Sequence, residues 1–540
     1  MIEKLLENWL DSASERSYQA VFVQMLSGQG FQVVHSTRHT SLEFGKDILA
    51  IAPDGTGCAY QLKGNPGGKL GLAQFRAEIQ GQLVQLMSQA VVYPGFPSGT
   101  HRSFLVSNGF FEEEVQRAVD DLNRMPYPSK VTLISRGDLL DWCKRMGSSL
   151  WPSELTDARL LLELFLADPR NVLPIEKVAT LLGKVLLTEP TGAQILGRGE
   201  FDRAVTSAAL LTGIATAPFA EAKNHYAVAI AWGLFAVSIV AACGRHRQTF
   251  TGAALATFKL AEAAALDALA ELWEEVDSRT HLVEGNAVTD SEVYGWRYIV
   301  LLGALSCLAI AHDAAQILHV ETSAKLNAWL RKRHDTLGLW GEGAVGALVP
   351  WLVYLRKHDS TIRPDLEIAG ITEVVISSNQ HDSTSPLPSP YYDFEEVIRF
   401  RLKLDKSGEA SSIGRETLAG SSYTAEALFH LLARTNLKSK CKALWVDFTK
   451  LGHRRFVPEE AWMYCTLDVT LGVDETKIYP STYEWTRLRK EAREDTSFKI
   501  PEPLAVKPWL LALWWQIAPQ RYNTISSRHF ATSLIPGWGS

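Results

Sequence analysis

Three residues in one short stretch carry chemistry. Asp47 sits in Gly45-Lys46-Asp47-Ile48, and Gln61 and Lys63 sit in Tyr60-Gln61-Leu62-Lys63. Side chains two apart on a strand leave from the same face, so Gln61 and Lys63 share one side. Asp47, at the start of a partner strand, can project to that side too. A carboxylate, an amide oxygen and an ammonium would then converge on one point. Such a set suits a hard, oxygen-liking cation such as Mg²⁺ (or Mn²⁺), which keeps several waters and takes few protein oxygens. A cation there can activate a water and stabilise charge on a phosphodiester, and a lysine can orient that water or neutralise the phosphorus centre. Taken alone, the three residues serve equally well as an ordinary strand end and an exposed strand lysine.

The elements that must hold them are legible. Val21, Phe22, Met25 and Leu26 recur at helical spacing over residues 14–26, and Gly28 and Gly30 end that helix. Strands are expected at 31–34, 47–51 and 58–63, the last two joined by the turn Pro53-Asp54-Gly55-Thr56-Gly57. A Gln-rich helix at 72–90, a strand at 103–107, a helix at 112–123, a strand at 131–134 and a helix at 137–145 follow. Strands alternating with helices imply a layered α/β domain over residues 1–147.

Element order and residues together resemble the Mrr-like restriction endonucleases of the PD-(D/E)xK nuclease superfamily. The likeness covers residues 14–145. It includes Gly30-Phe31-Gln32-Val33, the Gly-x-Asp-Ile and Gln-x-Lys strands, Phe104-Leu105-Val106-Ser107-Asn108-Gly109-Phe110, and Val131-Thr132-Leu133-Ile134 before Asp138-Leu139-Leu140. It implies a restriction-endonuclease-like fold, a central mixed sheet flanked by helices, and metal-dependent cleavage of DNA, with RNA as an alternative. By position, Asp47, Gln61 and the backbone carbonyl of Leu62 would bind metal, and Lys63 would be the catalytic lysine. Many relatives place a Glu on the first helix; here that position is Gln19, with Glu15 one turn earlier and Glu43 as further candidates for support. The resemblance also implies prokaryotic defence against foreign DNA or phage. An inactive nuclease fold that only binds nucleic acid is the second reading.

The Gly64–Leu70 stretch does not meet the phosphate-loop spacing and reads as a flexible loop at the site's edge, with Lys69 and Arg76 as candidate phosphate contacts. Glu112-Glu113-Glu114 suits a helix start, and His312 a satisfied core position.

Past residue 151 the strand signal fades and Ala- and Leu-rich helices dominate, giving a large, mostly α-helical region expected as domains 152–376 and 391–540. Ser377–Pro390 reads as an exposed Ser/Pro-rich loop and residues 406–422 as a second. Tyr226 to Cys243 runs 18 residues without a charge, near the length of a bilayer span. Its Ala, Gly and Ser content favours a buried helix over a membrane-associated effector. The Trp-rich end, from Trp509 to Trp515, is expected in a core. Arg331-Lys332-Arg333-His334 and Arg454-Arg455 read as cation-rich helix ends.

Of 540 residues, 46% are hydrophobic and 21% charged, which excludes fibrous and wholly disordered classes. With 54 Lys and Arg against 60 Asp and Glu, the net charge of −6 excludes a protein that coats nucleic acid by bulk charge. Activity is therefore expected to need a trigger, from a partner protein or a homo-oligomer that brings two sites to two strands. The six cysteines form no CxxC pair, and the polar start carries no signal-peptide core, so a reducing cytoplasm is expected.

Overall fold

The computed structural model describes residues 2–13, 15–36, 46–91, 93, 95–146, 160–161, 163–164, 166–187, 195–279, 291–332, 338–401, 418–468, 472–494 and 498–538. The chain divides into two compact units, Met1–Asp267 and Ala268–Ser540.

In the first unit, α1 (Ile2–Ser12) and α2 (Glu15–Gly28) precede a sheet. Both helices form because their apolar residues recur at helical spacing: Leu6, Trp9, Leu10 and Ala13 on one, Tyr18, Val21, Phe22, Met25 and Leu26 on the other, all buried. The sheet strands are β1 (Gln32–Ser36), β2 (Ile48–Ile51), β3 (Gly57–Lys63), β5 (Arg102–Ser107) and β7 (Val131–Ile134), hydrogen-bonded in the order β1-β2-β3-β5-β7. The pairs β1–β2 and β2–β3 are antiparallel, and β3–β5 and β5–β7 are parallel. The expected mixed sheet with flanking helices is therefore present, each expected strand within two residues of its bounds.

The β2–β3 turn closes as its sequence requires. Gly55 takes φ +82°, Ala52 and Thr56 bond at 2.8 Å, and the Asp54 carboxylate accepts from the Thr56 N–H at 2.9 Å. One face of the sheet, with Leu49, Ala59, Leu105 and Val131, packs on α3 (Leu72–Gln74), the π-helical turn Phe75–Ile79, α4 (Gln80–Ser88) and α5 (Glu113–Arg124). The other face carries Tyr60, whose ring meets Phe22 of α2 edge-on at 5.4 Å and stacks on Phe104 at 4.7 Å. The final helix of this layer, α6 (Arg136–Met146), brings Trp142 against Phe22.

The Gly64–Leu70 loop departs from expectation. It ends in a short strand, β4 (Lys69–Leu70), paired in parallel with β6 (Phe110–Phe111). A Cβ on Gly109 would lie 2.4 Å from the Asn65 carbonyl oxygen and 2.7 Å from that of Gly68, so only glycine permits this close approach. The Asn108 side chain accepts from the Asn65 N–H at 2.8 Å and donates to the Leu10 and Ala13 carbonyls, tying the loop to α1. Three glycines and a polar composition read as a loop; the partner strand that fixes it lies about forty residues away in sequence.

Helices α7 (Ile175–Leu186), α8 (Arg198–Glu221) and α9 (His225–Arg245) pack on one another, and α8 also packs on α1 and α2. Helix α8 is buried nearly all round. Its Thr212 and Thr216 hydroxyls donate to carbonyls one turn back at 2.8 Å, so they need no outside partner. Helix α9 contains the uncharged 18-residue run. It is long and apolar enough to cross a membrane, and 83% of its most apolar window is buried within the protein. The units meet in sequence within α10 (Gly252–Ser278).

The second unit is mostly helical. It comprises α11 (Ser291–Ala315), α12 (Val320–Arg331), α13 (Val345–His358), α14 (Pro364–Ser378), α15 (Phe394–Arg401), α16 (Ala425–Arg434), α17 (Lys438–Phe448), α18 (Trp485–Glu494), α19 (Glu502–Ala505), α20 (Pro508–Ile517) and α21 (Thr524–Leu534). Trp509, Trp514 and Trp515 of α20 are buried, as expected of the Trp-rich end. His312 is buried, and its Nδ1 accepts from the Leu318 N–H at 3.0 Å.

Three expectations are corrected in this unit. A small sheet of β8 (Ser421–Ser422), β9 (Gly452–Pro458) and β10 (Gly472–Lys477) interrupts the helices. Its strands read Gly-His-Arg-Arg-Phe-Val-Pro and Gly-Val-Asp-Glu-Thr-Lys, with no clean alternation to mark them. Arg454 and Arg455 therefore lie on a strand, Arg455 paired with Glu475 at 2.9 Å and Arg454 over the Tyr423 ring. The Ser/Pro-rich loop is exposed only at Ser377 and at residues 381–382 and 384–385; Leu387 and Ser389 are buried. Within it, Asn379 donates at 2.6 Å to the fully buried Glu342 carboxylate, which also accepts from Ser422, Tyr423 and Thr424. Residues 406–417 of the second expected loop, with Arg333 and His334, lie outside the described residues.

Beside this sheet a buried charge cluster forms. The Tyr479 hydroxyl donates to Glu426 at 2.5 Å, Lys477 lies 3.2 Å from both Glu426 and Glu491, and His430 meets the Tyr479 hydroxyl at 3.2 Å. Burial would raise the Glu426 carboxyl, but His430, Lys477, Tyr479 and His453 outweigh it and hold it at about 2. Burial lowers His453 to about 4.

Candidate active site

The β2–β3 register pairs Ile48 with Tyr60, which places Asp47 beside Gln61. The Asp47 N–H donates to the Tyr60 carbonyl at 2.9 Å, extending the ladder by one residue. Both side chains leave from the face that carries Leu49 and Ala59. Asp47 is 5% exposed and Gln61 2%.

One carboxylate oxygen organises the site. Asp47 Oδ2 accepts from Gln61 Nε2 at 2.7 Å and from the Leu62 backbone N–H at 2.6 Å. Gln61 Nε2 also lies 3.4 Å from the Leu62 carbonyl oxygen. Gln61 Oε1 is buried and has no hydrogen-bond donor among the described residues. A buried amide oxygen without a donor costs about 1–3 kcal/mol, which makes this atom a candidate ligand oxygen.

Lys63 follows at the last position of β3, half-exposed, on the face of Gln61. Its main chain is held by Tyr18, whose hydroxyl accepts from the Lys63 N–H at 3.1 Å and donates toward the carbonyls of Lys63 at 3.0 Å and Val106 at 3.3 Å. Tyr18 is fully buried, and that burial pushes its hydroxyl pKa well up, so it remains a neutral donor. No signal in the sequence singled out Tyr18; its place on the buried stripe of α2, facing the strand end, is what gives it the role.

The helix residues arrive from the other face. Glu15 lies at the start of α2, and its carboxylate accepts from the Gly64 N–H at 2.8 Å, one residue beyond Lys63. Gln19 is buried one turn on, between Glu15 and Phe22 on the helix stripe. Glu43 lies outside the described residues. Lys69 on β4 and Arg76 on the π-helical turn are both exposed. The structure thus joins Asp47 to Gln61, leaves Lys63 on the same sheet face two residues on, and ties Glu15 to the main chain just past the strand end.

The oxygens on hand are of the hard, cation-liking kind, but the Gln61 NH2 stands between the Asp47 carboxylate and the Leu62 carbonyl, so a cation held by both together with Gln61 Oε1 requires that amide to turn over. Among the described residues, no group of three His, Cys, Asp or Glu is placed to hold a metal ion. The site's location also suits a ligand: Lys63 ends β3 beside the ends of the parallel strands β5 and β7. In open α/β sheets, ligands bind outside such carboxyl ends. No protein-family model, curated protein or solved structure matches this chain.

Proposed function

We propose that the chain is a metal-dependent endonuclease of restriction-endonuclease-like fold, hydrolysing phosphodiester bonds of DNA. The observation that carries this reading is the buried Asp47–Gln61 hydrogen bond, with the donorless Gln61 oxygen, on the sheet face that Lys63 shares at the carboxyl end of β3. A bound Mg²⁺ or Mn²⁺ would supply Lewis acidity and a more acidic water. Asp47, Gln61 Oε1 and the Leu62 carbonyl would hold it. Lys63 would place its ammonium on the attacking water or on the phosphate oxygens as charge develops there. Tyr18 and Glu15 would keep the Lys63–Gly64 main chain in place during that step. A single firm carboxylate gives weak cation affinity until substrate phosphate adds oxygens, which suits an enzyme that acts only when nucleic acid is bound.

In this reading the helical remainder senses, selects or assembles, and the setting is defence against foreign DNA in a prokaryotic cytoplasm. Cleavage of plasmid and single-stranded DNA in Mg²⁺ or Mn²⁺, compared between wild type, Asp47→Ala and Lys63→Ala, tests the activity. Loss of cleavage in both variants is expected. The lone carboxylate also favours a second reading, an inactive fold that binds nucleic acid; retained binding with no cleavage in either metal, with and without phage-infected extract, would establish that one instead.

A further inference from the structure

Beyond the parallel strand ends the chain builds a second surface. In the β4–β6 pair, Lys69 and Phe110 are partners, and Leu70 and Phe111 are the next. Alternation sends Leu70 and Phe111 into the core and leaves Lys69 and Phe110 outside. Phe110 is 44% exposed, against 8% for Phe111.

The exposed ring is held rigidly. Its N–H donates to the Gly68 carbonyl at 3.0 Å, and Gly109 beside it is wedged against Asn65 and Gly68. The Arg136 guanidinium lies 5.5 Å from the ring centroid. Arg136 is in turn fixed to Asp11 by two hydrogen bonds of 2.5 and 2.9 Å. Lys63 ends β3, and Phe110 and Arg136 follow the carboxyl ends of β5 and β7, the three being neighbouring parallel strands. The ring therefore stands at the same sheet edge as the candidate catalytic lysine.

We propose that Phe110 is a stacking platform for an unpaired nucleobase of the substrate, with Lys69 meeting the adjoining phosphate. This rests on the nuclease reading and deepens it by naming the substrate class, single-stranded or locally opened nucleic acid. Every base offers a π-face, and a duplex hides those faces, so a fixed exposed ring engages only a base out of its stack. In a chain of net charge −6, stacking supplies affinity that bulk charge does not.

The test is binding, read apart from cleavage. Fluorescein-labelled single-stranded oligonucleotides (deoxy- and ribo-), their duplexes and abasic strands of equal length are titrated with full-length protein by anisotropy in Ca²⁺ buffer, with strand integrity checked on a gel. Wild type is expected to prefer the single strand. Phe110→Ala should weaken that binding about tenfold and leave the abasic strand unchanged, and Phe110→Trp should restore it. Equal binding of single strands by wild type and Phe110→Ala, an equal loss on abasic strands, or no single-strand binding by wild type would each overturn the platform. Asp47-dependent cleavage with Phe110→Ala binding normally would remove the platform and keep the nuclease. Phe110-dependent binding with no cleavage in Mg²⁺ or Mn²⁺ would do the reverse.

Discussion

The Tyr18 hydroxyl grips the peptide of Lys63 from both sides, accepting its N–H at 3.1 Å and donating to its carbonyl at 3.0 Å. One buried helix residue thereby fixes the strand position from which the candidate catalytic ammonium leaves. Tyr18→Phe keeps the ring and deletes both bonds. It is expected to cost about 1–3 kcal/mol in denaturant melts, because the Lys63 N–H loses its acceptor. It should also lower kcat more than it changes KM, since positioning rather than binding is lost. A variant destabilised by that amount but with kcat at the wild-type value would remove Tyr18 from the site.

Gln61→Glu sets a second carboxylate against Asp47, where the amide now donates at 2.7 Å. Two facing carboxylates raise the pKa of the pair in the folded state. Stability should then be full at acid pH and fall as pH rises through that raised pKa, and added Mg²⁺ should restore it at pH 8. Thermal melts at pH 5 and pH 8, each with EDTA and with Mg²⁺, check this; a metal response identical to wild type would count against cation binding here.

Gly109→Ala should be among the most damaging small changes in the first unit. The added methyl would meet the Asn65 carbonyl at 2.4 Å, and that neighbour is backbone, so it cannot rotate away. A loss of about 2–4 kcal/mol is expected, with proteolysis appearing between residues 64 and 71 as the β4–β6 pair opens. Wild-type stability and an intact loop would show that the backbone yields more easily than this packing allows.

The charge cluster of the second unit sets a pH dependence. Glu426 is depressed from 4.5 to about 2, so its stabilisation is present above about 4.5 and lost as pH falls toward 2. A shift of that size is worth about 3 kcal/mol. His453 is depressed from 6.5 to about 4, so the unfolded chain takes its proton first and stability falls from pH 6.5 toward 4. Glu426→Gln should flatten the lower limb and, because the Glu426 charge holds His453 up, extend the upper limb further toward acid. Urea melts between pH 7 and pH 3 resolve the two, and an unchanged lower limb would point to other carboxylates.

The sheet of the first unit was readable because its strands are short apolar runs bounded by turn residues, as with Asp54-Gly55 between β2 and β3. Asp47, Gln61 and Lys63 were readable because their types are unusual and strand alternation puts them on one face. Tyr18 was not, since a buried tyrosine on an amphipathic helix looks like core, and its bonds go to main chain that carries no sequence signal. The β4–β6 pair escaped for a related reason: two residues on each side are too few to show a period. The strands β9 and β10 are longer but show no clean alternation, and Arg455 of one pairs with Glu475 of the other across the sheet.

Helix α8 packs on α1 and α2, with Gly213 against Trp9 and Val21. A polypeptide cut near residue 150 would strip this cover and leave an indole and a row of aliphatic side chains facing water, so the sheet and its two leading helices are not a detachable module. The same contact makes α2 a shared wall. Any force that shifts α8 bears on the helix whose Tyr18 and Glu15 hold the Lys63–Gly64 peptide, giving the helices of this unit a mechanical route to the carboxyl end of β3.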